Sequence, residues 1–97
     1  MTIKLQDYDV ADHLRTPEEM AAYLEASIAE CDGDVSFVAK ALGDIARAKG
    51  MATLARDTGL GRESLYKALS VDGNPQLSTV LKVAKALGLQ FSVKPAA

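Results

Sequence analysis

The 97-residue chain contains no tryptophan, one cysteine and one histidine, and aromatic residues make up only 5% of it. With aromatics so scarce, Leu, Ala, Val and Ile must build the core, which suits packed helices. A single cysteine, Cys31, excludes a disulfide framework within the chain and fits a reducing compartment. No basic residue flanks it to favour a thiolate, so it reads as an ordinary free thiol. His13 has only Asp9 and Asp12 beside it, a poor set where zinc sites combine several His or Cys ligands. No metal and no cofactor is therefore expected. No apolar run approaches the ~18 residues that cross a bilayer, and no basic segment followed by an apolar one opens the chain. The expectation is a soluble, cytoplasmic protein with no membrane partner. No catalytic set converges either. Ser64 and Ser70 lack a histidine base, and Asp32-Gly33-Asp34 lacks calcium-loop spacing. Gly59-Leu60-Gly61 follows a helix rather than a strand, so it is no dinucleotide fingerprint. An enzyme is not expected.

Charge is present, but unevenly. The formal net charge is −2. Residues 1–50 hold five Lys or Arg against ten Asp or Glu, whereas residues 51–97 hold six against three. Phosphate affinity depends on local charge more than on the total, so the basic half is the one suited to nucleic acid. The acidic half either faces away from DNA, meets a basic partner, or serves solubility alone. The length predicts one domain, residues 1–97: an acidic N-terminal arm and two helices over 1–50, then a helix pair, a further helix and a C-terminal strand over 51–97.

Start and stop signals place the elements. Residues 1–15 alternate at Ile3-Lys4-Leu5 and then turn acidic, which reads as an arm with a possible short strand. Thr16-Pro17-Glu18-Glu19 is a helix start, with Thr16 as cap, Pro17 at the first position and Glu19 completing a capping box. The first helix runs to about Glu30 with Met20, Tyr23, Leu24 and Ile28 on its apolar face. A second runs from near Val35 to Lys49, with Phe37, Val38, Ala41, Leu42, Ile45 and Ala48 on one side and Gly50 at its C-cap. Asp72-Gly73-Asn74-Pro75 is a turn. The fifth helix starts near Leu77, turns Val80, Leu81, Val83, Ala84 and Leu87 inward, and ends at Gly88. Leu89-Gln90-Phe91-Ser92-Val93 alternates and predicts a short strand. A lone strand leaves its backbone unpaired, so its partner is either Ile3–Leu5 or the same strand of a second subunit.

Residues 51–70 are the most informative stretch. They read as a short helix, a tight turn and a second short helix. Ala55 is small enough for the second helix to cross closely, and Gly59 sits where the chain needs a positive φ. Leu54, Leu60, Leu65 and Leu69 supply apolar contacts beneath. Arg62, Glu63, Ser64, Tyr66, Lys67 and Ser70 face away from Leu65, Ala68 and Leu69 as donors and acceptors of base-reading type. This is the layout of a DNA-binding helix-turn-helix, although a plain helical hairpin shares its framework.

Residues 51–93, with Gly73-Asn74-Pro75 and the helix Leu77-x-x-Val80-Leu81-x-x-Ala84-x-Ala86-Leu87-Gly88, resemble the Cro/lambda-repressor-like helix-turn-helix family. Nearly the whole chain is similar to something narrower, the HigA-like antitoxins (addiction-module antidotes) of type II toxin–antitoxin pairs. The segments that carry this likeness include Asp9-Val10-Ala11, Ala22-Tyr23-Leu24-Glu25-Ala26, Ala41-Leu42-Gly43-Asp44-Ile45-Ala46-Arg47-Ala48-Lys49-Gly50 and Arg62 to Ser70. The resemblance implies an all-α, five-helix lambda-repressor-like domain with a short C-terminal β-strand, with or without an N-terminal one. It also implies a small basic RelE-like toxin as partner, neutralised by direct binding, and repression of the chain's own operon. The other reading is a stand-alone phage-like repressor with no toxin partner.

The resemblance also distributes roles. Arg62, Glu63, Ser64 and Lys67 are the candidates to face base edges; Arg62 or Lys67 suits guanine O6 and N7, and Glu63 suits cytosine N4. Glu63 also fits a helix-start charge favoured by the dipole. Tyr66 either contacts DNA or packs on the fifth helix. Thr53, Ser70 and Asn74 are candidate phosphate contacts. Ala55, Gly59 and Leu65 set the turn and packing. Two copies in a homodimer would place the reading helices ~34 Å apart, matching a palindromic operator. One departure is Gly61, where relatives of this type carry Ser or Thr as a cap; the exchange costs only a few tenths of a kcal/mol.

Overall fold

The computed structural model describes residues 14–70 and 72–96. Five helices follow one another: α1 (Pro17–Glu30), α2 (Val35–Lys49), α3 (Met51–Thr58), α4 (Arg62–Ala68) and α5 (Leu77–Ala86). The signals at their ends work as expected. The Thr16 hydroxyl accepts from the Glu19 N–H at 3.1 Å, and the Glu19 carboxylate accepts from the Thr16 N–H at 3.1 Å and the Arg15 N–H at 2.7 Å. Those bonds satisfy backbone donors that the first turn of a helix leaves unpaired. Asp32 (φ 49°) and Gly33 (φ 85°) reverse the chain. Asp34 then caps α2, accepting from the Ser36 N–H at 3.0 Å and the Ser36 hydroxyl at 2.7 Å. Those two bonds, the hydroxyl's first, hold the Asp34 carboxyl below its ordinary pKa. Gly50 serves two helices: its N–H bonds the Ala46 carbonyl at 2.7 Å and its carbonyl accepts from the Leu54 N–H at 3.0 Å.

α1 lies along α2, and α3 touches α2, α4 and α5. The core runs through all five helices, with Leu42, Ile45, Leu54, Leu65 and Val83 as its largest fully buried side chains. Leu14, Met20, Leu24, Leu69, Val80 and Leu87 complete its edges.

Four expectations are corrected. Among the described residues there is no strand, and 89–96 carry neither helix nor strand. Among the described residues no second strand lies beside that segment, and its Leu89 N–H instead closes the end of α5 on the Ala84 carbonyl at 2.8 Å. The other proposed strand, Ile3–Leu5, lies outside the described residues, as do Asp9, Asp12 and His13. Leu81 is 46% exposed rather than inward. The face of α5 that seats on the core is Val80, Val83, Ala84 and Leu87, and Leu81 sits one position off it, beside exposed Leu77. Phe37 is exposed because it lies in the first turn of α2, before the buried run 41–46 begins. Ile28, near the end of α1, is also exposed and lines a shallow groove with Leu24, Leu89 and Phe91.

Candidate nucleic-acid interface

The turn between α3 and α4 is built by three local devices. Gly59 is left-handed at φ 76°, and its N–H bonds the Ala55 carbonyl at 3.0 Å. Only glycine takes that conformation without a steric penalty. The Thr58 hydroxyl donates to the Leu54 carbonyl at 2.8 Å and accepts from the Leu60 N–H at 3.2 Å, stapling the turn across its open side. Nothing in the sequence reading singled out Thr58; a Thr immediately before a C-terminal glycine was the signal. Gly61 then starts α4 with extended backbone and no side-chain cap.

α4 is seated by its inner side. Leu65 is fully buried and Leu69 nearly so, while Leu60 packs partly buried against the same cluster. The far end of α4 meets α2 through main chain. A Cβ added to Gly43 would lie 2.5 Å from the Leu69 carbonyl oxygen, well inside any tolerated contact. Gly73, in the turn after α4, is packed as closely against the Ala68 carbonyl. Gly43 and Gly73 thus set how the C-terminal end of α4 sits.

The opposite side of α4 is free. Arg62, Glu63, Ser64, Tyr66, Lys67 and Ser70 are all exposed, Tyr66 by 51%. Arg62, Glu63, Ser64 and Lys67 therefore share one outward surface of two helical turns. The Ser70 hydroxyl donates to the Lys67 carbonyl at 3.0 Å, so its proton is engaged within the chain and only its oxygen lone pairs face outward. Asn74 is exposed in the turn ahead of α5, and Thr53 is half-buried in α3. Ala55 is half-buried and adjoins the core, as its role in close packing requires.

Behind this face lies a polar cluster that sequence reasoning missed. Asp44 is only 2% exposed, in the middle of α2. Its carboxylate accepts from the Tyr23 hydroxyl on α1, from Lys40 Nζ at 3.2 Å and from the Arg47 guanidinium. Burial alone would raise the Asp44 carboxyl; the hydrogen bonds from Tyr23, Arg47 and Lys40 together outweigh it and hold the pKa below its ordinary value. Burial, followed by the bond to Asp44, pushes the Tyr23 phenol up to about 12. The signal was present in cations at i−4 and i+3 from one acid, although helix-surface pairs show the same spacing. Among the described residues no group of three or more His, Cys, Asp or Glu is placed to hold a metal, and no helix is long and apolar enough to cross a membrane.

Residues 4–95 match the family model described as "Probable addiction module antidote protein". The chain belongs to that family. A Haemophilus influenzae protein described as an uncharacterized protein is 52% identical to the antidote-family chain over 94 residues, which is 97% of this chain and 95% of that one. No solved structure matches. Membership gives the chain a role in a toxin–antitoxin system, and an antidote implies a toxin as its partner.

Proposed function

We propose that this antidote is a sequence-specific DNA-binding antitoxin of HigA-like type. It neutralises a RelE-like toxin by direct binding and represses its own operon. The reading rests on the outward face of α4: Arg62, Glu63, Ser64 and Lys67 are exposed together on a short helix anchored by Leu65 and Leu69 behind a left-handed Gly59 turn. Such a helix, with base-edge donors and acceptors on one side and apolar anchors on the other, fits a major groove as the second helix of a lambda-repressor-like helix-turn-helix. The basic half of the chain carries it, and the acidic half suits a basic toxin. The chain works as a homodimer on a palindrome, its residues 89–93 pairing with the same segment of a second copy.

The deciding experiment is co-expression with the small basic reading frame next to its gene, followed by growth and co-purification. Rescue of growth with a stable complex supports the antitoxin reading. A chain that binds its own promoter but rescues nothing and captures no partner is a stand-alone repressor instead.

A further inference from the structure

We propose that Arg47 is a contact to the DNA backbone, a guanidinium anchored on one side by buried Asp44 and offering its remaining donors to a phosphate beside the face that reads bases. The inference rests on the DNA-binding reading above and adds to it a residue from outside the helix pair.

Arg47 lies in the last turn of α2, one short step before α3 begins. Its side chain is 55% exposed, whereas that of Asp44 is 4% exposed. One end of the guanidinium is therefore fixed against the interior while the rest meets water. A guanidinium carries five N–H donors in a rigid fork that matches phosphate geometry, and its bond to Asp44 runs from a single nitrogen, Nη2. Charge is in surplus at the cluster. Asp44 supplies one negative charge and is met by two cations, Lys40 and Arg47, besides the neutral Tyr23 hydroxyl. The excess of one positive charge sits on the exposed side, where an anion completes it.

The location is also right. Arg47 lines a small cleft of about 40 Å³ with Gly43, Met51, Tyr66 and Leu69. Tyr66 is on α4 itself and half exposed, so a cation and a phenol share one rim at the edge of the base-reading helix. A contact from this rim positions the protein on the duplex without reading sequence.

The test compares Arg47→Gln with the wild-type chain on two duplexes: one selected from random DNA by the wild-type protein and one unrelated duplex of equal length. Affinity is measured across a salt series. Arg47→Gln is expected to bind both duplexes about tenfold more weakly, and the slope of log affinity against log salt should fall by about one. Lys40→Gln, which removes the other cation on the same carboxylate, should leave that slope unchanged. Wild-type affinity and slope in Arg47→Gln, while Arg62→Ala with Lys67→Ala loses discrimination between the duplexes, overturn the Arg47 assignment and leave the DNA reading intact. An equal fall in slope from Lys40→Gln also overturns it, since the effect is then general charge. A wild-type chain that binds neither duplex removes both proposals together. Should Arg47→Gln fail to fold, Asp44→Asn combined with Arg47→Gln leaves no unpaired buried carboxylate. It should show the same fall of about one in slope, and a wild-type slope from it refutes the inference.

Discussion

Single side chains divide here into those proposed to read DNA and those that hold the fold. Replacing both Arg62 and Lys67 by Ala should remove sequence-specific binding while leaving the thermal unfolding midpoint close to wild type, because both are exposed. Gel-shift titration beside a melting curve checks this; unchanged operator affinity contradicts the contact assignment. Asp44 behaves oppositely. Asp44→Asn keeps the shape but weakens three hydrogen bonds at a buried site, and the expected loss is about 1–3 kcal/mol in urea unfolding. Acid and base limits follow from the same cluster. The Asp44 carboxyl is held below its ordinary value when folded, so its contribution is present at neutral pH and disappears as pH falls through that lowered pKa. The Tyr23 phenol is raised from 10.0 to about 12 on folding, so its contribution is complete below pH 10 and is lost between roughly 10 and 12. Stability followed by circular dichroism across both limits, with Tyr23→Phe as control for the alkaline one, tests these signs.

Helices and turns were the part of the molecule most open to prediction. The Thr16 capping box and the glycines at 50 and 59 are local signals whose physics does not depend on the rest of the fold, and each marks an element end. Which side of a helix faces inward was less legible. Leu77 and Leu81 are as apolar as Leu87, and only the packing of α5 on α3 decides that Val80, Val83 and Ala84 are the buried set. The same applies to Asp44, whose burial depends on α1 packing against α2. The outward face of α4 was legible because Leu65 and Leu69 fix the inward one. At this scale Gly59→Ala forces a side chain into left-handed backbone and should cost about 1 kcal/mol or more. Leu65→Ala should cost about 2–5 kcal/mol, since Leu65 is fully buried beneath α4. Chemical denaturation with a common slope for the variants measures both.

At the level of the whole molecule, segment 89–96, which carries neither helix nor strand, and the exposed side chains Phe91 and Val93 are the features a second copy would cover. Deleting residues 89–97 should shift the proposed homodimer toward monomer in sedimentation equilibrium, and an intact dimer would contradict pairing through this segment. Operator binding should weaken in parallel, because the two half-sites are then bound by separate rather than linked subunits. The seat of α4 on α2 bears on how such a molecule diversifies. Where two helices meet through side chains, one volume offsets another and sequences drift together. At Gly43 the partner is the Leu69 carbonyl, a main-chain atom that no substitution can shrink. On the proposed DNA-binding reading, a duplicated gene would be free to acquire a new target by changing Arg62, Glu63, Ser64 and Lys67, whereas a change at position 43 would spoil the frame for every target at once.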